Sequence, residues 1–146
     1  MRWWAGVAAA WLIASGLATG ASARTPLTIA LLSTPGSLVR HAHPPGGDVA
    51  DVLTSSLSLR AGTAPHEKVG SMGYSLTMLT RTNARIDTTT TLPGGTIRAS
   101  GAQVSLAQPA LTVTVTGGTG RFAGARGTLT FGPMTTQANV YRLTLP

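Results

Sequence analysis

From residue 24 onward the chain alternates apolar and polar side chains with a period of two. Leu111, Val113 and Val115 alternate with Thr112, Thr114 and Thr116. Tyr141, Leu143 and Leu145 alternate with Arg142 and Thr144, and Tyr74, Leu76 and Met78 with Ser75 and Thr77. Ile86 and Leu92 bracket the run Thr88 to Thr91. Such alternation gives each segment one apolar and one polar face, as in a half-buried strand, and nothing shows a helical stripe. Turn formers separate the runs: Pro35-Gly36, Pro44-Pro45-Gly46-Gly47, Ala61-Gly62, Pro93-Gly94-Gly95, Gly117-Gly118-Thr119-Gly120 and Gly132-Pro133. Between them the pattern predicts strands near 25–33, 48–59, 65–79, 84–92, 95–106, 110–116, 122–131 and 138–145. Short connections pair sequence neighbours antiparallel. The prediction is all-β, an eight-stranded antiparallel up-and-down β-barrel whose lumen has room for one small ligand; a sandwich is the alternative. Thr34 to Gly47 reads as the longest loop.

The first residues follow a different pattern. Arg2 precedes an almost unbroken apolar run, Trp3 to Ala18, and Ala21-Ser22-Ala23 ends it with small residues. A positive start, a short apolar middle and an A-x-A end describe a secretory signal peptide over 1–23, cleaved after Ala23; an uncleaved anchor helix is the alternative reading. The expectation is a secreted protein of one domain, 24–146, with no stable membrane insertion after cleavage.

Composition then narrows the chemistry. Charged residues make up 10% of the chain and hydrophobic ones 42%, which favours a packed core over disorder. There is no cysteine, hence no disulfide, thiolate nucleophile or Cys-based metal site. Beyond residue 23 the chain holds nine Arg and one Lys against Asp48, Asp51, Glu67 and Asp87, a net +6. No acidic residue follows Asp87, so any carboxylate chemistry belongs to the first half of the mature chain.

Several motifs resolve into ordinary structure. Gly118-Thr119-Gly120-Arg121-Phe122-Ala123 fits G-x-G-x-x-A, but a dinucleotide site needs a helix next and an acid about 20 residues on. Strand-like sequence follows instead, so the motif reads as a glycine-rich hairpin and no cofactor is expected. His41 and His43, with His66 or Asp48, fall short of a convergent metal set. No nucleophile elbow surrounds any serine. The arginines are dispersed and only Tyr74, Phe122, Phe131 and Tyr141 are aromatic after residue 23, which argues against nucleic acid. Four aromatics also cannot form the two girdles of an outer-membrane barrel.

The stretch Leu111 to Phe131, LTVTVTGGTGRFAGARGTLTF, resembles the signature hairpin of the allene oxide cyclase and dirigent barrel superfamily, especially its exported bacterial members. Gly47-Asp48, the turn within Leu57 to Val69, the strand Gly95 to Gly101 and Tyr141-Arg142-Leu143 fall in the order that family shows. The resemblance spans most of 25–146 and implies an eight-stranded barrel and, as in the plant proteins, a homotrimer. It transfers less of the chemistry. Plant cyclases use a glutamate and an asparagine on the first strand, where this chain has Leu27-Thr28-Ile29-Ala30-Leu31-Leu32, and their later asparagine falls near Thr54. Dirigent proteins orient phenoxy intermediates with lumen Asp, Tyr, Arg and Thr. Where many carry an Asp in the hairpin this chain has Arg121, while Arg126 matches the Arg before the motif's last Gly.

Two readings stay open. In the first, the barrel binds a hydrophobic small molecule and guides a cofactor-free cyclisation, isomerisation or stereoselective coupling by holding it near its reactive shape. Asp48, Asp51 and Asp87 are then candidate acids or bases, Arg126 and Arg98 candidate stabilisers of charge, and Tyr74 and Tyr141 donors that orient the ligand beside Arg98. In the second, the same barrel is a non-catalytic secreted ligand-binding or structural protein.

Overall fold

In the computed structural model, the described residues are 24–34, 36, 38–41, 51–133 and 136–146. They form nine strands: β1 (Thr25–Thr34), β2 (Leu38–His41), β3 (Val52–Ala61), β4 (Lys68–Met78), β5 (Asn83–Leu92), β6 (Gly95–Ser105), β7 (Leu111–Gly118), β8 (Arg126–Phe131) and β9 (Ala138–Leu145). All pairings are antiparallel, in the order β1-β9-β8-β7-β6-β5-β4-β3-β2. A further pairing, Leu31 with Ala61 through Thr34 with Ser58, joins β1 to β3 and closes an eight-stranded barrel. β2 takes up the remaining edge of β3, from Leu38 opposite Ser55 to His41 opposite Val52. The closed antiparallel barrel expected from the alternation is the observed fold. The signal segment 1–23 and Asp48 lie outside the described residues.

Two local differences have physical causes. β2 lies inside the stretch read as one long loop, because four residues between turn formers are too short to show a period. Phe122, read as the start of a strand, sits instead in a 3₁₀ turn, Gly120–Phe122, and β8 begins at Arg126.

That turn seals one end of the barrel. Phe122 and Ala125 are buried there with Leu92, Ile97, Val115 and Leu143. Thr119 N–H donates to Thr96 O at 2.9 Å, Arg121 N–H donates to Gly94 O at 2.8 Å, and Thr119 Oγ1 bonds Thr96 N and Oγ1 at 3.1 and 2.8 Å. Gly120 has φ 58, and a Cβ there would lie 2.0 Å from Gly94 O. A Cβ on Gly118 would lie 2.4 Å from Thr96 O. The glycine-rich motif thus lets one hairpin lie flat on the β5–β6 turn.

Candidate functional site

The barrel register sorts the side chains into layers. Across β3, β4, β5 and β6 one inward row is Leu57, Met72, Thr90 and Ile97, and the next is Ser55, Tyr74, Thr88 and Ala99. The row beyond is Leu53, Leu76, Ile86 and Gly101. Last comes the end at which β3 begins, where Met78 N–H donates to Asp51 O at 3.0 Å.

Burial along these rows is uneven. Near the sealed hairpin end Leu59 and Met72 are fully buried. Toward the Asp51 end the inward positions Leu53, Ser55, Leu57, Tyr74, Leu76 and Met78 are only half-buried, although they share the same faces. Leu53, Leu57, Leu76 and Met78 face inward in a closed sheet, so their partial exposure marks accessible space along the inner β3–β4 wall, whereas Ser55 and Tyr74 also line a concavity shared with Asp87 and Arg98. Asp51 stands at its rim, on the inward parity of Leu53 and Ser55, and is 2% exposed.

Tyr141 bounds this space. On β9 it alternates with Asn139 and Leu143, all three inward and buried. β9 and β5 are four strands apart in either direction around the eight-stranded ring, hence on opposite walls. The Tyr141 hydroxyl nevertheless bonds Thr90 Oγ1 at 2.5 Å, so the phenol ring crosses the lumen. Tyr141 and Thr90 are both 0% exposed. Burial raises the Tyr141 pKa well above its ordinary range, with the Thr90 bond opposing weakly.

The remaining candidates lie on the outside. Asp87 alternates with inward Ile86 and Thr88; it accepts from Ser100 Oγ at 2.7 Å and Arg85 Nε at 2.9 Å. The Ser100 bond, and secondarily Arg85, hold its carboxyl below the ordinary range against a partial desolvation. Arg98 alternates with buried Ile97 and Ala99 and is exposed. Asp87 and Arg98 do share a feature, a concavity of about 600 Å³ whose lining includes Thr54, Gly73, Ser75 and Thr116 and also Ser55, Tyr74, Thr88 and Ala99 of the inward row. Arg126 is exposed and braces the hairpin, donating from one guanidinium nitrogen to Thr116 O at 2.7 Å and Ala125 O at 3.0 Å.

The structure thus brings Asp51, Tyr74 and Tyr141 to the interior and places Asp87, Arg98 and Arg126 outside it. Sequence reasoning passed over Thr88, Thr90 and Asn139, the other buried polar residues among those described. Their signal was present in part: Thr88 and Thr90 have the parity of Ile86 and Leu92. Among the described residues no group of three His, Asp or Glu side chains could hold a metal ion.

No protein-family model matches the sequence, and no curated protein is significantly similar to it. Solved structures are. Pyocyanin demethylase is 26% identical, with a TM-score of 0.70 over 81% of this chain and 100% of that one. The pterocarpan synthase dirigent protein PsPTS1 is 20% identical, with a TM-score of 0.59 over 84% of this chain and 94% of its own. The Diels–Alderase AbmU from Streptomyces koyangensis is 17% identical, with a TM-score of 0.57 over 84% of this chain and 67% of its own.

Proposed function

We propose that this chain, a member of the allene oxide cyclase/dirigent-like β-barrel superfamily, binds one hydrophobic small molecule against the inner β3–β4 wall and guides its rearrangement without a cofactor. The observation that carries this reading is the set of half-exposed inward positions Leu53, Leu57, Leu76 and Met78 on β3 and β4, running up to a buried carboxylate. Leu53, Leu76 and Met78 supply apolar contact and exclude water, which narrows the conformations open to a flexible ligand. Tyr74 and Ser55 supply hydroxyls to orient a carbonyl or phenol oxygen. Asp51 takes a proton from one position of the ligand and returns it to another, a shift that needs no oxidant or reductant. The resemblance to a demethylase, a dirigent protein and a Diels–Alderase supports small-molecule chemistry in such a barrel.

The same proposal places the protein outside the cytoplasm, on the strength of Arg2, the apolar run after it and Ala21-Ser22-Ala23, and includes a homotrimer as the resemblance implies. The non-catalytic reading has one observation in its favour. Among the described residues the buried polar side chains other than Asp51 are Thr88, Thr90, Asn139 and Tyr141, none of them a cation.

Native mass spectrometry of the protein recovered from its own culture supernatant tests the proposal. The expected result is a trimer of chains lacking residues 1–23, carrying an apolar compound that the wild type converts and Asp51→Asn releases unchanged. A ligand bound but left unconverted by both would favour the non-catalytic reading. An empty protein that also ignores a panel of apolar compounds would overturn both.

A further inference from the structure

We infer that Tyr141 sets the depth of the ligand chamber and so decides the length of ligand the barrel accepts. The inference rests on the chamber proposed above, but its geometric basis is separate. The phenol ring spans the lumen between opposite walls, anchored at its far end by Thr90. On the hairpin side of this bar Leu92, Val115, Phe122 and Leu143 are buried in one packed core, which also includes Ile97 opposite Thr90. On the other side Leu53, Leu76 and Met78 are half-exposed, as is Leu57 in the row of Met72 and Thr90 itself, while Leu59 beyond it is fully buried. Accessible space therefore ends at the level of the Tyr141–Thr90 bond. An apolar ligand longer than the stretch from Asp51 to this bar must leave its tail at the rim. Tyr141 is well suited to this task because its hydroxyl is held; an anchored ring cannot swing aside to admit a tail without breaking a buried bond.

A homologous series of 4-n-alkylphenols, titrated into the full mature protein by calorimetry, reads this depth. For the wild type, affinity is expected to rise about fourfold per methylene, the equivalent of ~0.8 kcal/mol per buried CH₂, and then stop rising at a definite chain length. In Tyr141→Ala the break moves to longer chains; Tyr141→Phe, which keeps the ring but loses its anchor, moves it less than Tyr141→Ala does. An unchanged break in Tyr141→Ala, with circular dichroism showing the barrel intact, overturns the inference. If Tyr141→Ala does not fold, Tyr141→Leu replaces it, since it shortens the bar while keeping apolar volume. Should the wild type bind no member of the series while the shortened variants do, the bar is confirmed as the barrier and the proposed function fails on its own. Binding by none of the three proteins overturns both.

Discussion

Tyr141 and Asp87 show how differently two titratable side chains are held in one barrel. Tyr141 is sealed in the lumen with a single polar partner. Replacing it with Phe leaves Thr90 Oγ1 buried without that partner, which should cost about 1–3 kcal/mol in urea unfolding at neutral pH. Its raised pKa also gives a pH signature. The neutral phenol is the form that folding favours, so its contribution is whole below the ordinary value of 10.0 and is lost as pH climbs above it. The alkaline loss of stability should therefore be weaker in Tyr141→Phe, measured by thermal unfolding above pH 10.0. Asp87 works in the opposite sense. Its pKa is lowered below the ordinary 3.8, so it stabilises above that value, and the contribution disappears as pH falls through the folded-state pKa. Because its side chain is 47% exposed, the effect is small; Asp87→Asn should slightly flatten the acid limb of the stability profile without moving the neutral plateau.

At the scale of elements, the 3₁₀ turn and the glycines around it serve as the barrel's plug. Phe122 is fully buried beneath the turn, and Phe122→Ala should cost about 3–5 kcal/mol, the range for removing a core aromatic, read from the shift in urea midpoint at unchanged slope. The motif that most resembles a nucleotide-binding fingerprint is therefore architecture.

The strands themselves were legible because Thr, Val and Leu alternate cleanly and Gly or Pro marks their ends. Inward and outward parity was equally present. Asp87 is one step from Ile86, and Arg98 lies between Ile97 and Ala99, so both belong on the face opposite the core. Tyr141 shares the parity of Leu143 and Leu145. The alternation alone did not tell which face was the lumen, since a subunit surface can also be apolar. Two features could not be read at all. β2 is too short to show a period, and the Tyr141–Thr90 bond joins residues 51 positions apart, a contact that exists only once the ring of strands has closed.

Taken as a whole, the molecule is a barrel closed at one end and accessible along part of one inner wall. Its surface carries most of the charge, and the described interior is apolar except for Asp51, Thr88, Thr90, Asn139, Tyr141 and the half-buried Ser55 and Tyr74. This asymmetry, more than any one residue, argues for a ligand that enters from the Asp51 end and is stopped at mid-barrel. The concavity shared by Asp87 and Arg98, which Ser55 and Tyr74 also line, offers a charged and hydroxyl-lined surface instead.

The two methionines on β4 allow this account to be tested directly. Met78 stands at the Asp51 end of the inner wall, half-buried, while Met72 is fully buried in the row of Thr90. With the methionine methyl carbons isotope-labelled, an NMR titration with a short 4-n-alkylphenol should shift the Met78 methyl signal strongly and the Met72 signal much less. An unmoved Met78 signal, with shifts confined to the backbone amides of Asp87, Thr89 and Arg98, would place the ligand on the outer face and contradict the account.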